Sequence, residues 1–177
     1  GKYAIEKLAR IPVEVEVASE FRYRDPMVNN KQLTIVISQS GETLDTLMAM
    51  REAKRRNSLT IGIVNVAGSS IAREADNVIY TWAGPEIAVA STKAYNTQLA
   101  AVYLLALYLA KTREKIDDET YQDLLQQLQK LPQQVESVLK ERENIQKFAS
   151  QHFNARSVFF IGRNMDYALS MEGSLKL

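Results

Sequence analysis

The chain alternates between short apolar runs and segments of helical spacing, and this alternation predicts most of its elements. Leu33 to Ile37 is uniformly apolar, which predicts a strand covered on both faces at the centre of a sheet. From Leu44 to Arg56 the pattern turns helical, with Leu44, Leu47, Met48 and the stem of Arg51 on the inward face, until Asn57-Ser58 breaks it. Leu59 to Val64 predicts the next strand, Gly68 to Ala75 a short helix, and Val78 to Trp82 a third strand. Gly84-Pro85 marks a loop. The most apolar stretch, Leu99 to Ala110, falls in a helix from Thr92 to Ala110 that reads as buried on nearly all sides. Strands and helices in strict alternation imply a parallel sheet with right-handed crossovers. The predicted fold class is therefore α/β: a three-layer α/β/α sandwich around a parallel sheet.

The flanks are less regular. Lys2 to Arg10 has helical spacing and ends at Pro12. Val13, Val15 and Val17 alternate with Glu14 and Glu16, which predicts a strand with one polar face. Ala18 to Asn30 reads as a loop with a helical turn around Phe21. Beyond Lys111 come two amphipathic helices rich in Gln, Glu and Lys, Asp117 to Lys130 and Gln134 to Phe148, separated by Pro132. Ser157 to Ile161 predicts one more strand, followed by Gly162-Arg163-Asn164 and a helix from Asp166. The opening in a helix and the ending at Leu177 without a cap, Gly or Pro lead to the expectation of a piece of a longer protein.

Candidate chemistry concentrates in Ser38-Gln39-Ser40-Gly41-Glu42-Thr43, where the apolar strand gives way to the helix. Backbone N–H groups at a helix N-terminus favour an anion, hydroxyls add donors, and a glycine lets the backbone approach a ligand. That describes a phosphate cradle. It contains no lysine, and the nucleotide-binding pattern G-x-x-x-x-G-K-[ST] is absent, so a phosphorylated metabolite suits it better than a nucleoside triphosphate. A plain helix cap accounts for the same residues, because Ser and Thr are favoured caps.

A second segment, Ala83 to Lys93, is small and apolar and then turns to Ser91-Thr92-Lys93 at a helix start. A lysine there opposes the helix dipole, so either a carboxylate or an anionic ligand holds it, or it points outward or pairs with Glu86.

Bulk properties narrow the field. With 46% hydrophobic and 24% charged residues in 177, the chain is an ordinary globular domain in composition. A net charge of +1 leaves no footprint for nucleic acid or an anionic membrane, and Lys54-Arg55-Arg56 reads as the basic end of a helix. Leu99 to Ala110 falls short of the roughly 20 apolar residues that span a bilayer. The absence of cysteine removes disulfides, thiolate catalysis and cysteine zinc sites, and it agrees with a cytoplasmic location. The single histidine, His152, sits in a polar setting that suggests a surface helix end, leaving histidine metal sites and a Ser/His/Asp triad without support.

Ser38-Gln39-Ser40-Gly41-Glu42-Thr43, Asn65 to Ser70, Ala83 to Tyr95, Ala18 to Arg24, Gly162-Arg163-Asn164 and Met171 to Leu177 occur in an order that resembles one family along nearly the whole chain. It is the isomerase (SIS) domain of glutamine–fructose-6-phosphate aminotransferases, the glucosamine-6-phosphate synthases. The first motif alone resembles the wider SIS superfamily, while Ala83 to Tyr95 is much more specific. The resemblance implies an SIS-type, flavodoxin-like sheet. It divides the chain into a first SIS subdomain with trailing helices (1–150), lacking its first strand, and the beginning of a second (151–177).

It further implies that Ser38, Gln39, Ser40 and Thr43 contact a sugar phosphate, that Val89 and Ser91 line the sugar pocket, and that Glu172 and Lys176 act in catalysis. Read from spacing alone, that last pair, four apart on a helix, is a surface ion pair. The family's reaction takes fructose 6-phosphate and ammonia to glucosamine 6-phosphate, through ring opening, an imine at C2 and a proton shift between C1 and C2. It needs acid–base groups and neither a metal nor an organic cofactor. The proton-shuttling glutamate, the ring-opening histidine and the C-terminal lysine of the family would lie beyond Leu177. The implied partners are the sugar phosphate, a glutaminase domain of the same polypeptide and a second copy in a homodimer. A non-catalytic sugar-phosphate sensor and another SIS enzyme, a phosphosugar isomerase or fructosamine-phosphate deglycase, are the alternative readings.

Overall fold

The computed structural model describes residues 1–88 and 91–177. Its elements run α1 (Lys2–Ala9), α2 (Ala18–Tyr23), β1 (Leu33–Ser38), α3 (Leu44–Arg55), β2 (Leu59–Val64), α4 (Ser70–Glu74), β3 (Asn77–Tyr80) and α5 (Lys93–Thr112). Four more helices follow: α6 (Asp118–Gln129), α7 (Leu131–Leu139), α8 (Arg142–His152) and α9 (Met165–Lys176). Two compact units result, one of residues 1–2 and 11–105, the other of residues 3–10 and 106–177.

In the first unit the three strands form a parallel sheet in the order β1-β2-β3, with Ile35 beside Ile61 and Ile63 beside Ile79. Because side chains alternate across a strand, each strand feeds both faces. Val36, Val64, Val78 and Tyr80 point to the face where Leu47 and Met50 of α3 and Ile71 of α4 pack. Ile35, Ile63 and Ile79 point to the opposite face, against Ala101 and Val102 of α5. The expected α/β/α layering is present. Gly62 permits the tight fit on the first face, since a Cβ there would stand 2.9 Å from Ile71 Cγ2.

Several expectations need correction. β2, not β1, lies in the middle of the sheet formed by the described residues, and Leu33 and Ile37 of β1 are exposed. The inward face of α3 is Leu47, Ala49, Met50 and Ala53, whereas Leu44 is exposed and Arg51 turns outward to Glu74. Leu47 and Met50 of α3 pack on the sheet. In α5, Ala106 and Ala110 are fully buried but Leu104 and Tyr108 are exposed, so the helix is two-sided. Val13 to Val17 forms no strand. Val15 and Val17 are exposed, and Glu14 and Glu16 instead pair with Arg24 at the end of α2.

Within the second unit, α6 is capped by Asp117, whose carboxylate accepts the Thr120 N–H at 2.7 Å, and Pro132 sits in the first turn of α7. The amphipathic stretch after it divides into α7 and α8, and His152 closes α8 at the surface, 4.5 Å from the Phe148 ring. Ser157 to Ile161 is irregular rather than a strand, since no neighbouring strand among the described residues takes its backbone groups. Gly173 in α9 lets the Phe160 ring approach, and the Ser170 hydroxyl donates to Ile161 O at 2.9 Å. No helix among the described residues is long and apolar enough to cross a membrane.

Candidate functional site: a hydroxyl-lined turn after the first strand

β1 delivers Ser38, and the chain turns through Gln39–Thr43 before α3 begins. Ser38 is buried, and its Oγ accepts the Gly41 N–H and shares a hydrogen bond with Thr43 Oγ1, each at 3.0 Å. Ser40 Oγ accepts the Glu42 N–H at 3.2 Å. Gly41 takes φ +68°, a left-handed conformation that glycine adopts without strain. Thr43 is the N-cap of α3, yet its side chain makes no capping hydrogen bond. The helix-cap account of this turn therefore fails for Thr43: its hydroxyl faces Ser38 across the turn. The result is a cluster of three hydroxyls at the N-terminus of a twelve-residue helix, where backbone donors and the dipole favour an anion.

The turn is braced against the loop after β2. Gly41 O accepts the Ile71 N–H at 3.0 Å, and Glu42 Oε1 accepts the Ser70 N–H at 2.7 Å. Hydrogen bonding from Ser70 holds the Glu42 carboxyl below the usual carboxylate range, with Arg73 adding to the effect. Ser69 is buried, and its Oγ, which lies against Gly41, has no hydrogen-bond partner among the described residues.

The second segment begins at the end of β3. Asn65, just past β2, holds it: Oδ1 accepts the Ala83 N–H at 2.7 Å and the Thr81 hydroxyl at 3.2 Å, and Nδ2 donates to Gly84 O at 2.8 Å. The Asn65 N–H donates to Gln39 O at 3.1 Å. The start of α5 is served by Glu86, whose Oε2 accepts the Ala94 N–H at 3.0 Å. A carboxylate thus meets the positive end of the helix that Lys93 opens. Ser91 is half-buried just before α5, and Val89 lies outside the described residues.

Glu172 and Lys176 share a face of α9 and form an ion pair at 2.7 Å, both mostly shielded from solvent. They belong to the second unit, whereas Ser38, Gln39, Ser40, Thr43 and Ser91 belong to the first.

At the N-terminal ends of the strands, opposite the hydroxyl turn, Asn30, Lys54, Asn57, Ser58, Leu59 and Asp76 line an open cavity of about 290 Å³. Here Asp76 accepts from Lys54 at 2.8 Å and from both the N–H and the hydroxyl of fully buried Thr60. These bonds pull the Asp76 carboxyl down to about 2. The charges are mutually satisfied, so this end of the sheet is structural. No group of three or more His, Cys, Asp or Glu among the described residues could hold a metal.

Sequence reading identified the turn but missed Glu42, Asn65, Ser69 and Asp76. The first three lie inside motifs quoted for the resemblance. What they do depends on loops brought together by the sheet, and no spacing reveals it.

A parallel sheet bearing a hydroxyl-rich turn at a strand's C-terminal end defines an α/β protein with a candidate anion site. The chain belongs to the SIS domain family, whose model matches residues 1–108. It is 62% identical over all 177 residues to the glutamine--fructose-6-phosphate aminotransferase [isomerizing] of Caldanaerobacter subterraneus subsp. tengcongensis, and 55% identical to that of Clostridium tetani. It spans 29% of the length of each. Among solved structures it is similar to the C-terminal domain of glucosamine-fructose-6-phosphate aminotransferase from Francisella tularensis. There the TM-score is 0.94 at 40% identity, over 98% of this chain and 49% of that one.

Proposed function

We propose that this chain is the sugar-phosphate-binding part of the isomerase domain of a glutamine–fructose-6-phosphate aminotransferase. In the whole enzyme that domain converts fructose 6-phosphate and glutamine-derived ammonia to glucosamine 6-phosphate. The observation that carries the reading is the Ser38–Thr43 turn, whose hydroxyls and helix N-terminus suit a phosphate. The similarity to named aminotransferases along all 177 residues supports the substrate. Ser38, Gln39, Ser40 and Thr43 hold the phosphate. Val89 and Ser91 line the sugar. Residues 1–150 form the first SIS subdomain with its trailing helices, and residues 151–177 begin the second.

Glu172 and Lys176 serve the proton transfers, an assignment supported by their pairing on one face of α9. The whole enzyme is cytoplasmic and dimeric, and a glutaminase domain supplies its ammonia.

Calorimetric titration with glucosamine 6-phosphate, with glucosamine as control, tests the reading. Binding of the phosphorylated sugar alone supports it. Equal binding of both sugars, or of neither by folded protein, overturns the cradle assignment.

A further inference from the structure

Asn65 touches both segments that the proposed function assigns to substrate, and it touches them with different groups. Its backbone N–H reaches Gln39 O at the phosphate turn, and its side-chain amide engages three positions of the other loop, Thr81, Ala83 and Gly84. Both amide ends are used: Oδ1 as a double acceptor and Nδ2 as a donor.

Inside this grip Trp82 takes φ +52°, a left-handed conformation that a bulky side chain rarely adopts. Its own ring does not hold it there, being exposed except for a tilted stack on Tyr80 at 5.4 Å. Its neighbours do: Thr81 N–H donates to Val64 O at 2.9 Å, and Ala83 N–H to Asn65 Oδ1. Uncommon backbone geometry persists where surrounding contacts over-determine it, and such positions cluster at ligand clamps.

We propose that Asn65 is a positioning residue that sets Thr81–Gly84, at the start of the segment before α5, in register with the phosphate turn, so that one ligand engages both. It makes the site select a sugar phosphate over a bare phosphate without itself touching the ligand. The inference rests on the proposed function. It predicts a split: inorganic phosphate needs only the turn, whereas a sugar phosphate needs the register.

The test is calorimetric titration of the protein with inorganic phosphate and with glucosamine 6-phosphate, in wild type, Asn65→Asp and Thr81→Val. Asn65→Asp keeps the shape and the acceptors but loses the donor and sets a carboxylate against Gly84 O. Thr81→Val removes one donor and keeps the fold should Asn65→Asp unfold. The expected result is glucosamine 6-phosphate binding weakened about tenfold in Asn65→Asp and about threefold in Thr81→Val, with phosphate binding within twofold of wild type. A parallel loss of both ligands, or no loss of either, overturns the inference while wild-type selectivity for the sugar phosphate leaves the proposed function standing. Failure of the wild type to bind glucosamine 6-phosphate overturns both.

Discussion

Gly41 and Ser69 are packed so closely that a Cβ on the glycine would overlap Ser69 Oγ and stand 2.6 Å from Ser69 Cβ. The contact joins the turn after β1 to the loop before α4, and both partners are buried. Gly41→Ala therefore suffers twice, from its φ of +68° and from a neighbour that cannot yield. Gly68, at φ +74°, has nothing within 4 Å and suffers only the first. Urea unfolding should show Gly41→Ala destabilised by about 2–4 kcal/mol and Gly68→Ala by about 1 kcal/mol. Equal losses would mean that the packing contact is unimportant.

Removing the hydroxyls should weaken binding and spare the fold. Ser40 is partly exposed and Thr43 exposed, so the double variant Ser40→Ala/Thr43→Ala opens no core cavity. Its affinity for glucosamine 6-phosphate should fall at least about tenfold, with the unfolding midpoint close to wild type. Unchanged affinity in the folded double variant would rule out the phosphate cradle.

Glu42 braces the turn through the Ser70 N–H. Glu42→Gln keeps an acceptor and Glu42→Ala does not. Amide exchange at Ser70 should quicken in Glu42→Ala, matching loss of about 1–2 kcal/mol of local stability, and stay near wild type in Glu42→Gln. Quickened exchange in both would assign the effect to charge rather than to the acceptor.

Acid should loosen the far end of the sheet. Hydrogen bonds from Lys54 and Thr60 lower the Asp76 carboxyl to about 2, and bonds from Arg55 and Arg56 lower Glu52 likewise to about 2. A depressed folded value means that the stabilisation is fully present above the ordinary carboxylate range and is lost as pH falls towards about 2. Unfolding midpoints should drop between about pH 4 and pH 2, and drop less steeply in Asp76→Asn. At neutral pH, Asp76→Ala should cost about 1–3 kcal/mol by stranding the buried Thr60 N–H and hydroxyl.

The Glu172–Lys176 pair distinguishes stability from catalysis. As a helix ion pair it is worth under about 1 kcal/mol. Glu172→Gln and Lys176→Met should barely move the melting temperature, yet on the proposed function each should lower kcat of the whole enzyme about a hundredfold or more. Normal turnover in either variant would return the pair to a surface role.

The sequence by itself determined the strands at Leu33–Ile37 and Leu59–Val64, the helix between them, the long helix before Thr112 and the hydroxyl turn. In each, the local pattern selects the element: an apolar run favours a strand, and hydroxyls with a glycine between strand and helix favour a turn at a helix N-terminus. Tertiary structure alone decided that β1 sits at an edge of the described sheet, that Ala49 and Ala53 rather than Leu44 are buried, and that residues 13–17 form no strand. It also brought Asn65 to Gly84 and Glu42 to Ser70, across 19 and 28 residues. The reason is physical. Burial periodicity records which residues avoid water, but not the helix's final rotation or the partner of a polar side chain. Those are chosen only when the sheet has formed and the buried backbone groups must find partners.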